Sequence, residues 1–191
     1  MSEIKREIAR KSIHFAGLIY IPTYIYFGKE LVLAGVLVSF IFAALIEIGR
    51  KHFEFLSKIV NKIVRNYERR GVGAHIYFGG AILIITALFP RSASFVAVIT
   101  SLLGDGIAGI IKKRFSKNVA SFMMFLASFL ALALIARCTE INLYVGFLVC
   151  LISVIVERIE KVGKYYLNDN LSVPLASAFS YCFLDLMAKQ L

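Results

Sequence analysis

Residues 101–117 read SLLGDGIAGIIKKRFSK. An apolar segment that starts at Ser92 is still running when it reaches Asp105, and six residues later it empties into Lys112, Lys113, Arg114 and Lys117. A carboxylate inside a stretch apolar enough for a membrane is expensive, so it marks a functional site with a partner close by. A cation could answer the acid, and the basic cluster could hold an anion beside it. What the rest of the chain brings to that spot decides the reading.

The 191-residue chain is 59% hydrophobic, has a mean hydropathy of +0.78 and lacks Trp. That is too apolar for a soluble domain, and the apolar residues come in blocks rather than at amphipathic spacing. A spanning helix needs about 20 mainly apolar residues. The blocks are 12–28, 31–49, 73–90, 92–111, 119–137, 141–157 and 171–189. They predict an all-α, multi-pass membrane bundle of about seven helices in a single domain, residues 1–191. No internal repeat, low-complexity stretch or separate soluble domain is read.

A net charge of +10 would suggest nucleic acid in a soluble protein. Here sorting of the charges explains it, and no nucleic-acid partner is expected. With seven spans, one side receives residues 5–11, 50–70, 112–117 and 158–164, which hold 18 of the 22 Lys and Arg; Lys29, Arg91, Arg137 and Lys189 fall on the other. The positive-inside rule puts the N-terminus in the cytoplasm and the C-terminus outside. A prokaryotic cell membrane or the endoplasmic reticulum is the expected host. Within 50–70, Phe53, Leu56, Val60, Ile63 and Tyr67 recur at three and four residues among basic ones. This predicts an amphipathic helix on the inner leaflet or packed on the bundle. Cys138, Cys150 and Cys182 lack metal-ligand spacing and read as small hydrophobes. The first span is expected to be retained rather than cleaved as a signal peptide.

Orientation gathers the polar residues. His14, Glu47 and His75 end or begin spans on the basic side, and Glu157 closes the sixth span there. Asp169 and Asn170 open the seventh, with Pro174 expected in its first turn. Asp105 lies six residues, or about 9 Å, from the same end. Pro22 is a candidate kink, and Gly28-Lys29-Glu30 a turn on the far side. Carboxylates and histidines roofed by Lys and Arg suit a divalent metal escorting polyphosphate, because Mg²⁺ takes one or two carboxylates plus phosphate oxygens. Phosphoryl transfer needs positioning, charge neutralisation and a base near the nucleophile. Gly104 and Gly106 let backbone approach either phosphate or a neighbouring helix. Zinc spacing and a Walker loop are absent from the sequence.

These residues resemble the CTP-dependent polyprenol kinases (dolichol kinase, phytol kinase and the CTP-dependent diacylglycerol kinases), which are related to the phosphatidate cytidylyltransferases. The resemblance rests on Glu7-x-x-Arg10-Lys11-x-x-His14-x-x-Gly17, Glu47-x-x-Arg50, Gly73-Ala74-x-x-Tyr77, Gly104-Asp105-x-x-Ala108, and Glu157 with Asp169-Asn170-Leu171-x-x-Pro174. It implies transfer of phosphoryl from CTP to the hydroxyl of a membrane lipid alcohol at the cytoplasmic leaflet, with Mg²⁺ or Mn²⁺. Asp105 would be the central catalytic and metal residue, joined by Asp169 or Glu157 as metal ligand. Lys11 and His14 would lie by the phosphates or the acceptor hydroxyl, and His14 or a carboxylate would take its proton. Gly104, Lys112, Arg114, Lys117 and Asn170 would bind the nucleotide. The chain departs from the family at Lys112 and Ser116, where glycines are usual, and at residues 117–121, KNVAS in place of KSxEG. The same residues also suit cytidylyl transfer to a lipid; ion or solute transport and an inactive paralogue are the other readings, and a homodimer is compatible with each.

Overall fold

A computed structural model describes residues 3–60, 71–159, 161–163 and 165–190. The chain runs α1 (Glu3–Ala16), a 3₁₀ turn (Gly17–Ile19), α2 (Tyr20–His52), α3 (Glu54–Val60), α4 (Ala74–Leu88) and α5 (Arg91–Val98). A π-helical turn (Ile99–Gly104) leads into α6 (Asp105–Ile111), followed by α7 (Lys117–Ala136) and α8 (Leu143–Arg158). A minimal hairpin, β1 (Lys161–Val162) with β2 (Tyr165–Tyr166), precedes α9 (Asp169–Ala188). Gly163 turns it at φ +60°, a conformation open to glycine.

Four helical stretches are long and apolar enough to cross a membrane: Glu7–His52, Arg91–Ile111, Lys117–Ala136 and Asp169–Ala188. Ala74–Leu88 is apolar but shorter, and α8 has 16 residues. The outer face of α2 leaves Leu37, Val38, Ile41, Phe42, Leu45 and Ile48 exposed. In water each would forgo roughly 1.5–3 kcal/mol of burial. A lipid surround removes that penalty, and with four candidate spans the fold is consistent with an integral membrane protein.

The first of those stretches cannot be one rod. Its 46 residues would rise about 69 Å, over twice a hydrocarbon core. Gly28, at φ 80° and ψ 179°, breaks it. Contacts along α4 show what the break does. Before it, His14 stacks on Phe78 and Tyr20 hydrogen-bonds Thr86 at 3.0 Å, so the chain runs parallel to α4. After it, Lys29 donates to the Ala87 carbonyl, Phe40 lies against Gly79, and Glu47 meets Gly73, so it runs back. The turn expected at Gly28-Lys29-Glu30 is therefore where the chain reverses. Pro22 sits in the first turn of α2, directly after the 3₁₀ turn, where its missing N–H is tolerated.

The central strut is 91–111. It runs antiparallel to the first arm: Phe95 meets Tyr20 and Tyr24 edge-on, and Leu102 lies at Gly17. Farther along, Gly106 lies at Phe15 and Gly109 at Lys11. Phe95, Ile99, Leu102, Ile85, Leu132, Val149 and Tyr181 are fully buried around it. The sequence predicts one plain helix over 92–111; the structure interrupts it with the π turn. Residues 50–52 of the expected interfacial helix continue α2, extended Phe53 breaks the chain, and α3 carries exposed Phe55 and Ile59. The remainder of that helix, 61–70, lies outside the described residues.

Candidate functional site

A π turn carries one extra residue per turn and so re-aims everything after it. Thr100 and Ser101 turn their hydroxyls back to the carbonyls of Val96 and Ala97, at 2.9 and 2.6 Å, covering groups that a loosened helix leaves short of donors. Thr100 Oγ1 also lies 2.9 Å from Ser177 Oγ, which lies 2.8 Å from Ser153 Oγ. All three side chains are fully buried, and together they pin the π turn to α8 and α9.

The first residue past that turn is Asp105. Its Oδ2 accepts from Lys11 Nζ at 2.6 Å, and the Lys11 side chain is 1% exposed. Gly109 makes this possible. A Cβ there would come within 2.5 Å of Lys11 Cε and 3.0 Å of Glu7 Oε1. Gly106 likewise admits Phe15. Gly104, expected to bind nucleotide, faces α7: a Cβ on it would meet Ser128 Oγ and Met124. Close packing of the π turn on α7 is what that glycine permits.

His14 reaches the same spot from α1. Its Nε2 lies 3.1 Å from Asn170 Oδ1, and Lys11, Asp105 and Arg10 are near enough to act on the ring electrostatically. The amide of Asn170 is oriented by its other contacts, since Nδ2 donates to Asp169 Oδ1 at 2.7 Å and to Asn168 Oδ1 at 3.2 Å. Oδ1 therefore faces His14 and accepts, which leaves the proton on Nε2 and the lone pair on Nδ1. Asn168 caps α9 by accepting from Asn170 N. Pro174 falls in the second turn rather than the first, and is buried. It has no N–H to give the Asn170 carbonyl four residues back.

A second group lies at the far end of α6, seven residues or about 10 Å from Asp105. Lys112 pairs with the buried carboxylate of Glu157, whose other oxygen has no hydrogen-bond partner among the described residues. A cavity of about 240 Å³ opens beside them, lined by Lys112, Lys117, Asn118 and Arg158. Arg158 donates to Ser121 Oγ at 2.8 Å and to Asn118. Glu157 is thus tied to Lys112, and Arg114 is exposed and does not line this cavity.

A third group closes the same end. Glu47 accepts from Arg50 Nε and Nη2 at 2.6 Å each and from Gly73 N at 3.3 Å, with His75 at 3.4 Å. Arg50 also donates to the Gly71 carbonyl, so the pair staples the 71–73 loop to α2.

Among the described residues no three His, Cys, Asp or Glu gather as a metal-holding group. Asp105 and Asn170 both act on His14, and Asp169 holds the Asn170 amide; oxygens of this kind are what Mg²⁺ accepts when phosphate and water complete its shell. The donor chemistry fits; a cage built from protein alone is not what it offers. Arg158 and Asn118 escaped the sequence reading, although Arg158 follows Glu157 directly. Their partnership depends on how α7 packs against α8, which spacing does not encode. No protein-family model, curated protein or solved structure matches the chain. Residues and geometry carry the functional argument.

Proposed function

We propose that the protein is a lipid kinase that moves the γ-phosphoryl group of CTP to the hydroxyl of a membrane lipid alcohol. The chain would cross the membrane seven times, N-terminus in the cytoplasm and C-terminus outside, with the basic end and its site at the cytoplasmic leaflet. The observation that carries the reading is the buried Lys11–Asp105 pair, joined through His14 and Asn170 to Asp169 and one short helix away from a cationic cavity. An acid–base cluster beside an anion site, at the end of an apolar bundle, suits a substrate with a lipid tail and a polar head.

In this reading Lys112, Lys117 and Arg158 take the polyphosphate, and Asp105, Asp169 and Asn170 would hold Mg²⁺ or Mn²⁺. The metal, when bound, neutralises developing charge on the phosphates. Lys11 fixes the Asp105 carboxylate and adds positive charge at the reacting end. Nδ1 of His14 takes the acceptor's proton as its oxygen forms the new O–P bond and the β–γ bridge breaks to release CDP. Altered residues 117–121 leave the base preference of the nucleotide to experiment.

Purified protein with Mg²⁺, a panel of lipid alcohols and γ-labelled nucleotides tests this. Label from the γ position entering lipid is the expected result. Label entering from the α position instead would assign cytidylyl transfer, and no nucleotide consumption in any combination would overturn the proposal.

A further inference from the structure

The end of the bundle away from Asp105 has a cavity of its own. It measures about 290 Å³ and is lined by Arg91, Arg137, Cys138, Thr139 and Glu140. Arg91 opens one candidate span and Arg137 directly follows another, so the cavity sits where hydrocarbon gives way to headgroups. The side chains of Arg137 and Glu140 make no hydrogen bond or ion pair with another described residue, although Glu140 is near enough to act on exposed Lys189, and Arg91 lies over the Phe95 ring at 5.3 Å and near Tyr24. The wall is held in place regardless. Asn142 N donates to the Tyr181 hydroxyl at 2.8 Å, fixing the turn after α7 onto α9, and Thr139 Oγ1 donates to the Ile135 carbonyl.

Two guanidiniums facing one space match a phosphate oxygen pair. A simple anion would be repelled by Glu140, however. A headgroup with an ammonium attached to its phosphodiester satisfies all three side chains at once. We propose that this cavity binds the headgroup of an aminophospholipid, with Arg91 and Arg137 on the phosphodiester and Glu140 accepting from the primary ammonium. The site is independent of the kinase reading and lies at the opposite end of the molecule.

The chain carries its own reporter, because Cys138 is exposed in the cavity while Cys150 is buried and Cys182 only partly accessible. Full-length protein in a neutral detergent is labelled with a maleimide, a Cys138→Ser variant giving the background. The probes are short-chain phosphatidylethanolamine, phosphatidylglycerol, phosphatidylcholine and inorganic phosphate. With phosphatidylethanolamine at a few times its Kd, Cys138 labelling slows roughly fivefold. The other three protect less, Arg91→Gln or Arg137→Gln removes the protection, and Glu140→Gln equalises phosphatidylethanolamine and phosphatidylglycerol. Asp105→Asn protein is protected like the unaltered chain. Equal labelling with every probe, protection by inorganic phosphate as strong as by phosphatidylethanolamine, or protection that survives both arginine substitutions overturns the proposal.

Discussion

The two ends of the bundle use charge in opposite ways. Toward Asp105, the carboxylates of Asp105, Glu47 and Glu157 are each less than a tenth exposed, and each has a cation against it. Toward Arg91, among the described residues the ion pair is Lys189–Asp185, with side chains 73% and 18% exposed, and Arg91, Arg137 and Glu140 stand at the surface. Water screens the second set and hardly reaches the first. Charges withdrawn from water must be held by geometry, so the Asp105 end is where the fold has committed its positions and where substitutions should be felt.

The hardest blow to that contrast is aimed at Asp105. Asp105→Asn keeps the shape but removes the charge opposite Lys11, and phosphoryl transfer should fall beyond detection while the protein still elutes as a single folded species. His14→Gln tests the proton step beside it, with a loss on the order of 10²–10⁴-fold. Measurable transfer near the original rate in the Asp105→Asn protein would remove the mechanism and erase the functional difference between the ends.

Glu47→Gln sharpens the comparison on stability alone. Arg50 would keep the Gly71 carbonyl but lose its carboxylate while 3% exposed, and breaking a buried pair by removing one partner costs about 3–5 kcal/mol. Thermal unfolding in detergent should show a clear drop in Tm. The 71–73 loop should loosen with it, read as faster proteolysis there. An unchanged Tm would mean that the pair is solvated and the burial contrast overstated.

Much of this was legible in the chain. Apolar blocks mark the helices because burial and lipid both demand them, and Gly28 marks the reversal because an L side chain resists that φ. Lys11, His14, Asp105, Asp169 and Asn170 stood out as charges or ligands beside apolar runs, and the structure brings them to one place. The π turn did not stand out: residues 92–111 are nearly apolar all round, so periodicity has no polar face to show a change of pitch. Nor could spacing decide between phosphate and helix for Gly104 and Gly106. The neighbours that pack on them, Ser128, Met124 and Phe15, are distant in sequence. Four helices meet the length and apolarity of a span where seven blocks were read, because α4 and α8 are short and Gly28 bends two blocks into one helical stretch.

Gly109→Ala separates position from chemistry at the Asp105 end. The added methyl would lie 2.5 Å from Lys11 Cε, the flexible end of a long side chain, so Lys11 can shift and the fold survives. Its ammonium then leaves its present 2.6 Å contact with Asp105. Transfer should fall about tenfold, a loss of roughly 1.4 kcal/mol in the transition state, with Tm little changed. A proportional loss of stability would instead make Gly109 a packing residue only.

The smallest effect belongs at the opposite end, and its smallness is the point. Asp185→Asn removes the partner of Lys189, whose side chain is 73% exposed, and the lysine simply hydrates. Tm should stay within experimental scatter, and γ-label transfer should match the unaltered protein. The same one-charge change at Glu47 should be plainly visible in the same assay. If Asp185→Asn proved as damaging as Glu47→Gln, exposure would not be what distinguishes the two ends, and the case for a single committed site around Asp105 would lose its physical basis.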